Sequence, residues 1–365
     1  MSVHRIIRWG LLVAVLGIAS WWLLASPLQL RASFRRDYLA AAKPAQRQVF
    51  ERYYDKLGLA AMLDVLEAQF PLCHSEGHDL GKVVYSRLQD LNDAITLCRD
   101  RCSSGCFHGA LMEAFQAVGK PNDDHPPGQE DVHIELDDLR DKITATCADA
   151  AVTSVHPPGR CAHGLGHALM FLADYDIPQA LEFCALFDDR RMEYYCNGGA
   201  FMEYDIIYGL EDLKNGKPLH YPCDTYDEFP AACYFYRAKY LTRHLGGPLP
   251  AARECLSLPR YRRLGCWRGL ALSEISVLER QPSYLAILCS HGDLDDQRAC
   301  VEGAVERWSD FDTPAPRQAC ASLTNPELRA YCGAAADRGA FTLDKPFDLY
   351  FGPDTGAASG APARQ

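Results

Sequence analysis

The sequence lacks the motifs that announce the commonest chemistries. It has no Gly-x-Ser-x-Gly nucleophile elbow, no Cys-x-x-Cys-His for covalent haem and no glycine-rich loop that would cradle phosphate. The string nearest to a haem motif, CSSGCFH ending at His108, has three residues between its cysteines. Basic residues are in deficit: 37 Lys and Arg face 48 Asp and Glu, for a formal net charge of −11. Phosphate recognition wants a basic face, so no nucleic-acid partner is expected. Apolar residues are not short. At 48% hydrophobic, 365 residues can bury a sizeable core, which excludes disorder for most of the chain. The length suits two domains or one elongated repeat array.

What is in excess is cysteine, with 16 residues. In a reducing cytosol this number would imply zinc or clusters, and in an oxidising compartment a disulfide framework. The N-terminus favours the second. The run WGLLVAVLGIASWWLL, Trp9 to Leu24, is uncharged and follows Arg5 and Arg8, as an export signal does. Its small-x-small cleavage pattern is poor, since Leu23 and Ala25 would have to serve. Trp21 and Trp22 suit an interfacial belt, and Pro27, Leu28 and Leu30 extend the run to about the ~20 residues needed to span. We therefore expect a retained signal-anchor over residues 1–30, contacting the membrane, with a cleaved signal as the alternative. Arg31, Arg35 and Arg36 leave the charge bias weak, so the cysteines carry the topology: the body lies in the periplasm or on the cell surface.

The cysteines also reveal a repeat. Cys73, Cys106, Cys161, Cys196, Cys233, Cys266, Cys300 and Cys332 precede apolar helical patterns at steps of 33, 55, 35, 37, 33, 34 and 32. Six of the seven steps lie near 34, a period typical of helical-hairpin solenoids. The step of 55 is one period plus an acidic, Pro-rich insertion at 121–146, whose string from Pro121 to Asp141 carries His125 and His133. A solvated loop is its plainer reading and a lid the sharper one. Gly109, Gly164, Gly199, Gly269 and Gly303 each sit three residues after a marker cysteine. Glycine in a helix costs up to ~1 kcal/mol against Ala, so this register needs a packing reason, and close approach of neighbouring helices supplies one. In FHGALMEAFQAV and NGGAFMEYDIIY the apolar residues recur at three and four, not two, which selects helix over strand.

A second cysteine set ends the second helix of each unit. It pairs with the first as Cys98–Cys106, Cys147–Cys161, Cys184–Cys196, Cys223–Cys233, Cys255–Cys266, Cys289–Cys300 and Cys320–Cys332. Each staple would tie one hairpin to the next and contribute roughly 2–3 kcal/mol. Cys73 and Cys102 remain, either for an eighth disulfide or for soft metal ligation near His74. This layout, over about residues 73–340, resembles the disulfide-stapled helical repeats of the Sel1-like class and, more loosely, the TPR class. The resemblance implies an α-solenoid and says little about activity. The expected fold is all-α: about eight ~34-residue hairpins in a right-handed array, behind the N-terminal membrane segment. Residues 31–72 would form one or two capping helices, 73–210 a His-rich duplicated half, 211–343 a second repeat half and 344–365 a flexible tail.

Five of the 12 His fall at the starts of the early units. CHSEGHDLG holds His74 and His78, and CAHGLGHAL holds His163 and His167; both contain His-x-x-Gly-His. CFHGALMEAF supplies His108 and Glu113, and CNGGAFMEY supplies Glu203 aligned with Glu113. The first half thus reads as a duplicated pair of units. Imidazoles four apart share one helix face and can grip one metal ion, with a Glu from the next helix as third ligand or general base. With the thiols oxidised, the ligand set His74, His78, His108, Glu113, His163, His167 and Glu203 suits zinc, iron, manganese or copper without choosing among them. The plain alternative is packed polar side chains at helix starts. Adjacent helices pack ~8–10 Å apart, so a straight array would give two separate sites, and a tightly curved one a single dinuclear centre.

Two functions compete on these residues. One is a metalloenzyme, a hydrolase or oxygenase acting on an envelope substrate. The other is a scaffold whose solenoid surface binds a protein partner, with structural histidines. Units after Cys223 carry little beyond structure. Their arginines Arg237, Arg243, Arg253, Arg260, Arg262, Arg263 and Arg268 read as a solvated face, or less simply as a dock for an anionic partner.

Overall fold

The computed structural model describes residues 27–70, 73–116, 135–309 and 314–351. Most of the expected anchor, residues 117–134, which take in the first part of the 121–146 insertion with His125 and His133, and the tail from 352 lie outside the described residues. Among the described residues the protein is all-helical, with no strand, and no helix is long and apolar enough to cross a membrane. The chain divides into two compact units, Met1–Ala114 and Phe115–Gln365.

The first unit begins with a helix over 27–40 (α1), followed by α2 (Gln46–Leu57) and α3 (Leu59–Gln69). One or two capping helices were expected here and three form, because Gly58 at φ +78 breaks what the apolar spacing alone would run together. Phe34, Tyr38 and Phe50 close this end, with ring centroids 5.0–5.9 Å apart. Next come α4 (His74–Leu88), α5 (Leu91–Cys98) and α6 (Gly105–Gln116). The Asp90 side chain accepts from the Asp93 N–H, capping α5.

The second unit holds α7 (Leu136–Ala148), α8 (Ala150–Val155), α9 (Pro158–Leu172), α10 (Ile177–Cys184), α11 (Arg190–Lys214), α12 (Pro230–His244) and α13 (Pro248–Ser257). It continues with α14 (Arg260–Ser273), α15 (Ile275–Arg280), α16 (Tyr284–Leu288), α17 (Leu294–Ser309), α18 (Ala315–Ala321), α19 (Pro326–Arg338) and α20 (Asp348–Phe351). Helix starts follow local chemistry: proline opens α9, α12, α13 and α19, and Asp176, Asp189 and Asn325 cap α10, α11 and α19 through their side chains. The helices that carry the marker cysteines pack in sequence, α9 on α11, α11 on α12, α12 on α14, α14 on α17 and α17 on α19.

Glycine sets the spacing of these contacts. A Cβ placed on Gly109 would lie 2.0 Å from the His78 carbonyl oxygen, one on Gly199 1.9 Å from that of His163, and those on Gly269 and Gly303 2.0 Å from Phe235 and Arg268. No side chain fits there, so the helices meet backbone to backbone. All eight disulfides join the expected partners, including Cys73–Cys102, which removes those two sulfurs from metal ligation. Among the described residues no cysteine is free. Eight disulfides suit an oxidising, extracytoplasmic environment.

The arginines of the later units are only partly a solvated face: Arg243, Arg253 and Arg260 are exposed, whereas Arg237 and Arg268 are buried. Arg237 is fully buried and donates to Asp205 at 2.9 Å and to the Gly209 carbonyl at 3.0 Å. Arg260, Arg262 and Arg263 pair with Asp295, Asp227 and Asp293. Arg268 joins a buried group in which Glu306 accepts from Arg268 at 3.0 Å, Arg338 at 3.0 Å and Lys345 at 2.6 Å. Glu302 accepts from Tyr331 and Tyr350, each at 2.6 Å. Burial acts to raise the Glu302 pKa, but Lys345, Arg268 and the two phenols outweigh it and hold the carboxyl at about 2.

Two predictions follow from this packing. Gly199→Ala should lower stability by about 3 kcal/mol or prevent folding, because the added carbon meets backbone. Gly333→Ala on α19, where nothing lies within 4 Å, should be neutral or stabilise by up to ~1 kcal/mol; denaturant titration of both checks the contrast. The second concerns acid. A folded pKa below the ordinary 4.5 means that Glu302 stabilises the fold above pH 4.5, and that this contribution is lost as pH falls through about 2. Chemical unfolding at stepped pH should show that loss, and Glu302→Gln, though less stable at neutral pH, should show a shallower acid slope.

Candidate metal centre

The close helix contacts bring imidazoles together. In the first unit, α4 and α6 touch through Gly81 against the Cys106 carbonyl and Gly109 against that of His78. His74 and His78 stand one turn apart on α4 with their Nε2 atoms 3.1 Å from each other. His74 Nδ1 lies 2.9 Å from the Ser103 carbonyl oxygen. A carbonyl only accepts, so Nδ1 carries the hydrogen, which in the neutral form of the ring leaves the lone pair on Nε2. His108 on α6 completes the group, its ring centroid 5.0 Å from that of His74 and 5.9 Å from that of His78. One ligand nitrogen from each of the three lies within 4.8 Å of the others. His78 and His108 are buried, and His74 is partly exposed.

In the second unit, α9 and α11 touch in the same way, through Gly166 against Cys196 and Gly199 against His163. The Nε2 atoms of His163 and His167 are 3.2 Å apart. His167 donates from Nδ1 to Glu203 Oε2 at 2.8 Å, and the Tyr175 hydroxyl donates to Glu203 Oε1 at 3.3 Å. The His163 ring stacks on Tyr236 at 5.4 Å and meets Phe341 at 5.0 Å. Where α6 carries His108, two residues after its marker cysteine, α11 carries Gly198.

Glu113 and Glu203 are aligned in sequence but not in use. Glu113 accepts from Arg47 at 3.0 Å and from Ser86 at 3.0 Å. Burial acts to raise its pKa, and Arg47, Ser86 and Lys82 together pull it below the ordinary value. The helix contacts explain the difference. Gly109 faces the carbonyl of His78, and Gly199 faces that of His163, so His78 occupies the place of His163. The two His-x-x-Gly-His strings are therefore out of register by one helical turn. His74 sits a turn before the shared position and His167 a turn after it. Lys82 takes the place equivalent to His167, so Glu113 faces cations where Glu203 faces an imidazole.

The sequence matches no family model, and no curated protein or solved structure matches it. The chemistry must be read from the geometry. Two nitrogens 3.1–3.2 Å apart hold either one proton or one metal ion. Zn–N bonds of ~2.0–2.1 Å at a tetrahedral angle put two ligand nitrogens about 3.3 Å apart. In both pairs one ring has its other nitrogen fixed by an acceptor, the arrangement that orients metal-binding histidines. Sequence reasoning missed Arg47, Ser103, Tyr175 and Tyr236. None lies in the repeated strings, and only the fold brings Arg47 to Glu113, Tyr175 to Glu203, and Ser103 and Tyr236 to the imidazoles.

A test independent of metal follows. Imidazole ¹⁵N correlation spectra should show His74 and His167 protonated at Nδ1. Glu203→Leu should remove this signature at His167 and lower stability by about 1–3 kcal/mol, whereas Glu203→Gln, whose amide oxygen still accepts, should keep it.

Proposed function

We propose that this is a membrane-anchored, extracytoplasmic metalloprotein. It is built as an α-solenoid of ~34-residue disulfide-stapled hairpins whose His74, His78, His108, His163 and His167 bind a divalent transition metal through ring nitrogens. The supporting observation is the pair of Nε2–Nε2 approaches, 3.1 and 3.2 Å, each with one Nδ1 held by an acceptor. Glu203 then acts as the group that orients His167, and Glu113 is bound up with Arg47. The ligand set remains open to zinc, iron, manganese and copper. Three imidazoles leave a coordination position for water or dioxygen, so a metal-dependent hydrolase or oxygenase is the enzyme class this chemistry favours. An anchor over 1–30 would hold the centre near an envelope or lipid-linked substrate.

Element analysis of the full-length protein, purified without chelators, is expected to find bound transition metal, and its stoichiometry counts the centres. A His78→Ala/His167→Ala double variant should lose it, and chelation should lower the wild-type melting temperature. Metal-free wild type, or unchanged metal in the double variant, would leave the partner-binding scaffold ahead, with the imidazoles as packing groups.

A further inference from the structure

The second unit contains a cavity of about 390 Å³, open to solvent and separate from the histidines. Its walls are phenol rings and carboxylates: Tyr175, Tyr204 and Tyr208 with Asp174, Glu211 and Asp212. The Tyr175 and Tyr208 rings meet edge to face at 5.6 Å, and Tyr204 and Tyr208 lie 5.2 Å apart. The Tyr204 hydroxyl donates to Asp212 at 2.8 Å and the Tyr175 hydroxyl to Glu203 at 3.3 Å, so two of the three rings are fixed by carboxylates. Asp174 and Tyr175 both adopt the left-handed backbone, at φ +48 and +64, which delivers the Tyr175 ring to the cavity. Three acidic groups face one cation there, Lys217, which is 3.6 Å from Asp212.

Lys217 shows what these surroundings hold. Its ammonium lies 4.0 Å from the centroid of the Tyr221 ring, whose own centroid is 6.3 Å from that of Tyr204. Tyr221, which neighbours Tyr204 without being a wall of the cavity, thus holds an ammonium group against its ring face beside the site. We propose that the cavity is a binding site for the ammonium group of a small organic cation, clasped by Tyr175, Tyr204 and Tyr208 and attracted by Asp174, Glu211 and Asp212. A quaternary ammonium fits best, because it needs no hydrogen-bond acceptor and gains from the rings of Tyr175 and Tyr208, which are partly exposed, with buried Tyr204 behind them. The net negative rim selects a free cation over a zwitterionic phosphodiester headgroup. The proposal stands apart from the metal centre, although Tyr175 touches Glu203 on its far side.

The test uses full-length protein in a maltoside detergent, with calorimetry or ligand-observed NMR. Choline should bind saturably, and its neutral isostere 3,3-dimethylbutan-1-ol at least tenfold more weakly. Tyr208→Phe should keep choline affinity within about threefold, since phenylalanine offers the same face, and Tyr208→Ala should lose tenfold or more. Glu211→Gln, at an exposed position, should weaken choline but not the isostere, which keeps the test valid if Tyr208→Ala does not fold. Glycerophosphocholine weaker than choline supports a free cation; the reverse order assigns the same cage to a lipid headgroup. Equal binding of choline and the isostere, or no saturable binding of choline, would overturn the proposal.

Discussion

Backbone-to-backbone helix contact is the constraint on which the rest depends. At Gly81, Gly109, Gly166, Gly199, Gly269 and Gly303 a methyl group would sit within 2.0 Å of a carbonyl oxygen of the facing helix. Such contacts fix both the distance and the register of neighbouring helices, because a glycine can meet only the carbonyl it faces. They also place the side chains next to them. His78 and His163 each belong to a residue whose carbonyl forms the contact, so their rings leave the backbone at the tightest point of the interface, beside the facing helix. The cost of five or more glycines in helices, up to ~1 kcal/mol each, is offset by packing that no larger residue permits.

The same register explains a resemblance between regions that look unrelated. The second and sixth residues after the marker cysteine are His163 and His167 on α9, and Glu302 and Glu306 on α17. Both pairs lie on the face turned into the array and both are buried. On α9 the stripe carries imidazoles held by Glu203 and Tyr236. On α17 it carries carboxylates held by Arg268, Arg338 and Lys345. One architectural position therefore serves as a candidate ligand site in one place and as a buried ionic anchor in another. That anchor depends on the segment after α19, which returns Lys345 and Tyr350 to the interior and lays Phe341 on His163. Buried ionic groups of this kind are costly to break, because removing one partner strands the others.

Much of this was legible in the sequence, for a physical reason. The helical period, the marker cysteines and the glycine register are local patterns, and local patterns survive reading in one dimension. Seven pairings follow because each of those cysteines has its repeat partner 8–14 residues away, and Cys73–Cys102, 29 residues apart, is the pair left over. The candidate ligands were legible by type but not by role. Aligning Glu113 with Glu203 is correct on the helices that carry them, yet the facing helices are offset by a turn, and Cys73, which bonds Cys102 rather than a preceding hairpin, gave no warning of it. Arg237, Arg263 and Arg268 were misread as solvated because their partners lie about 30–38 residues away, one repeat along, where composition does not look.

The order of the cysteines has a consequence for biogenesis. A chain exported from its N-terminus presents thiols one after another to the oxidising machinery. From Cys147 onward every disulfide joins two cysteines consecutive in sequence, so an oxidant that simply couples each new thiol to the last one exposed makes the native bond every time. The first four behave differently. Cys73 bonds Cys102 and Cys98 bonds Cys106, so the two loops interlock. First-come coupling would instead join Cys73 to Cys98 and Cys102 to Cys106. The His74–His78–His108 group is framed by these crossed bonds, which coupling in order of appearance would miss and thiol–disulfide exchange would recover, whereas the six later bonds are the ones such coupling gives.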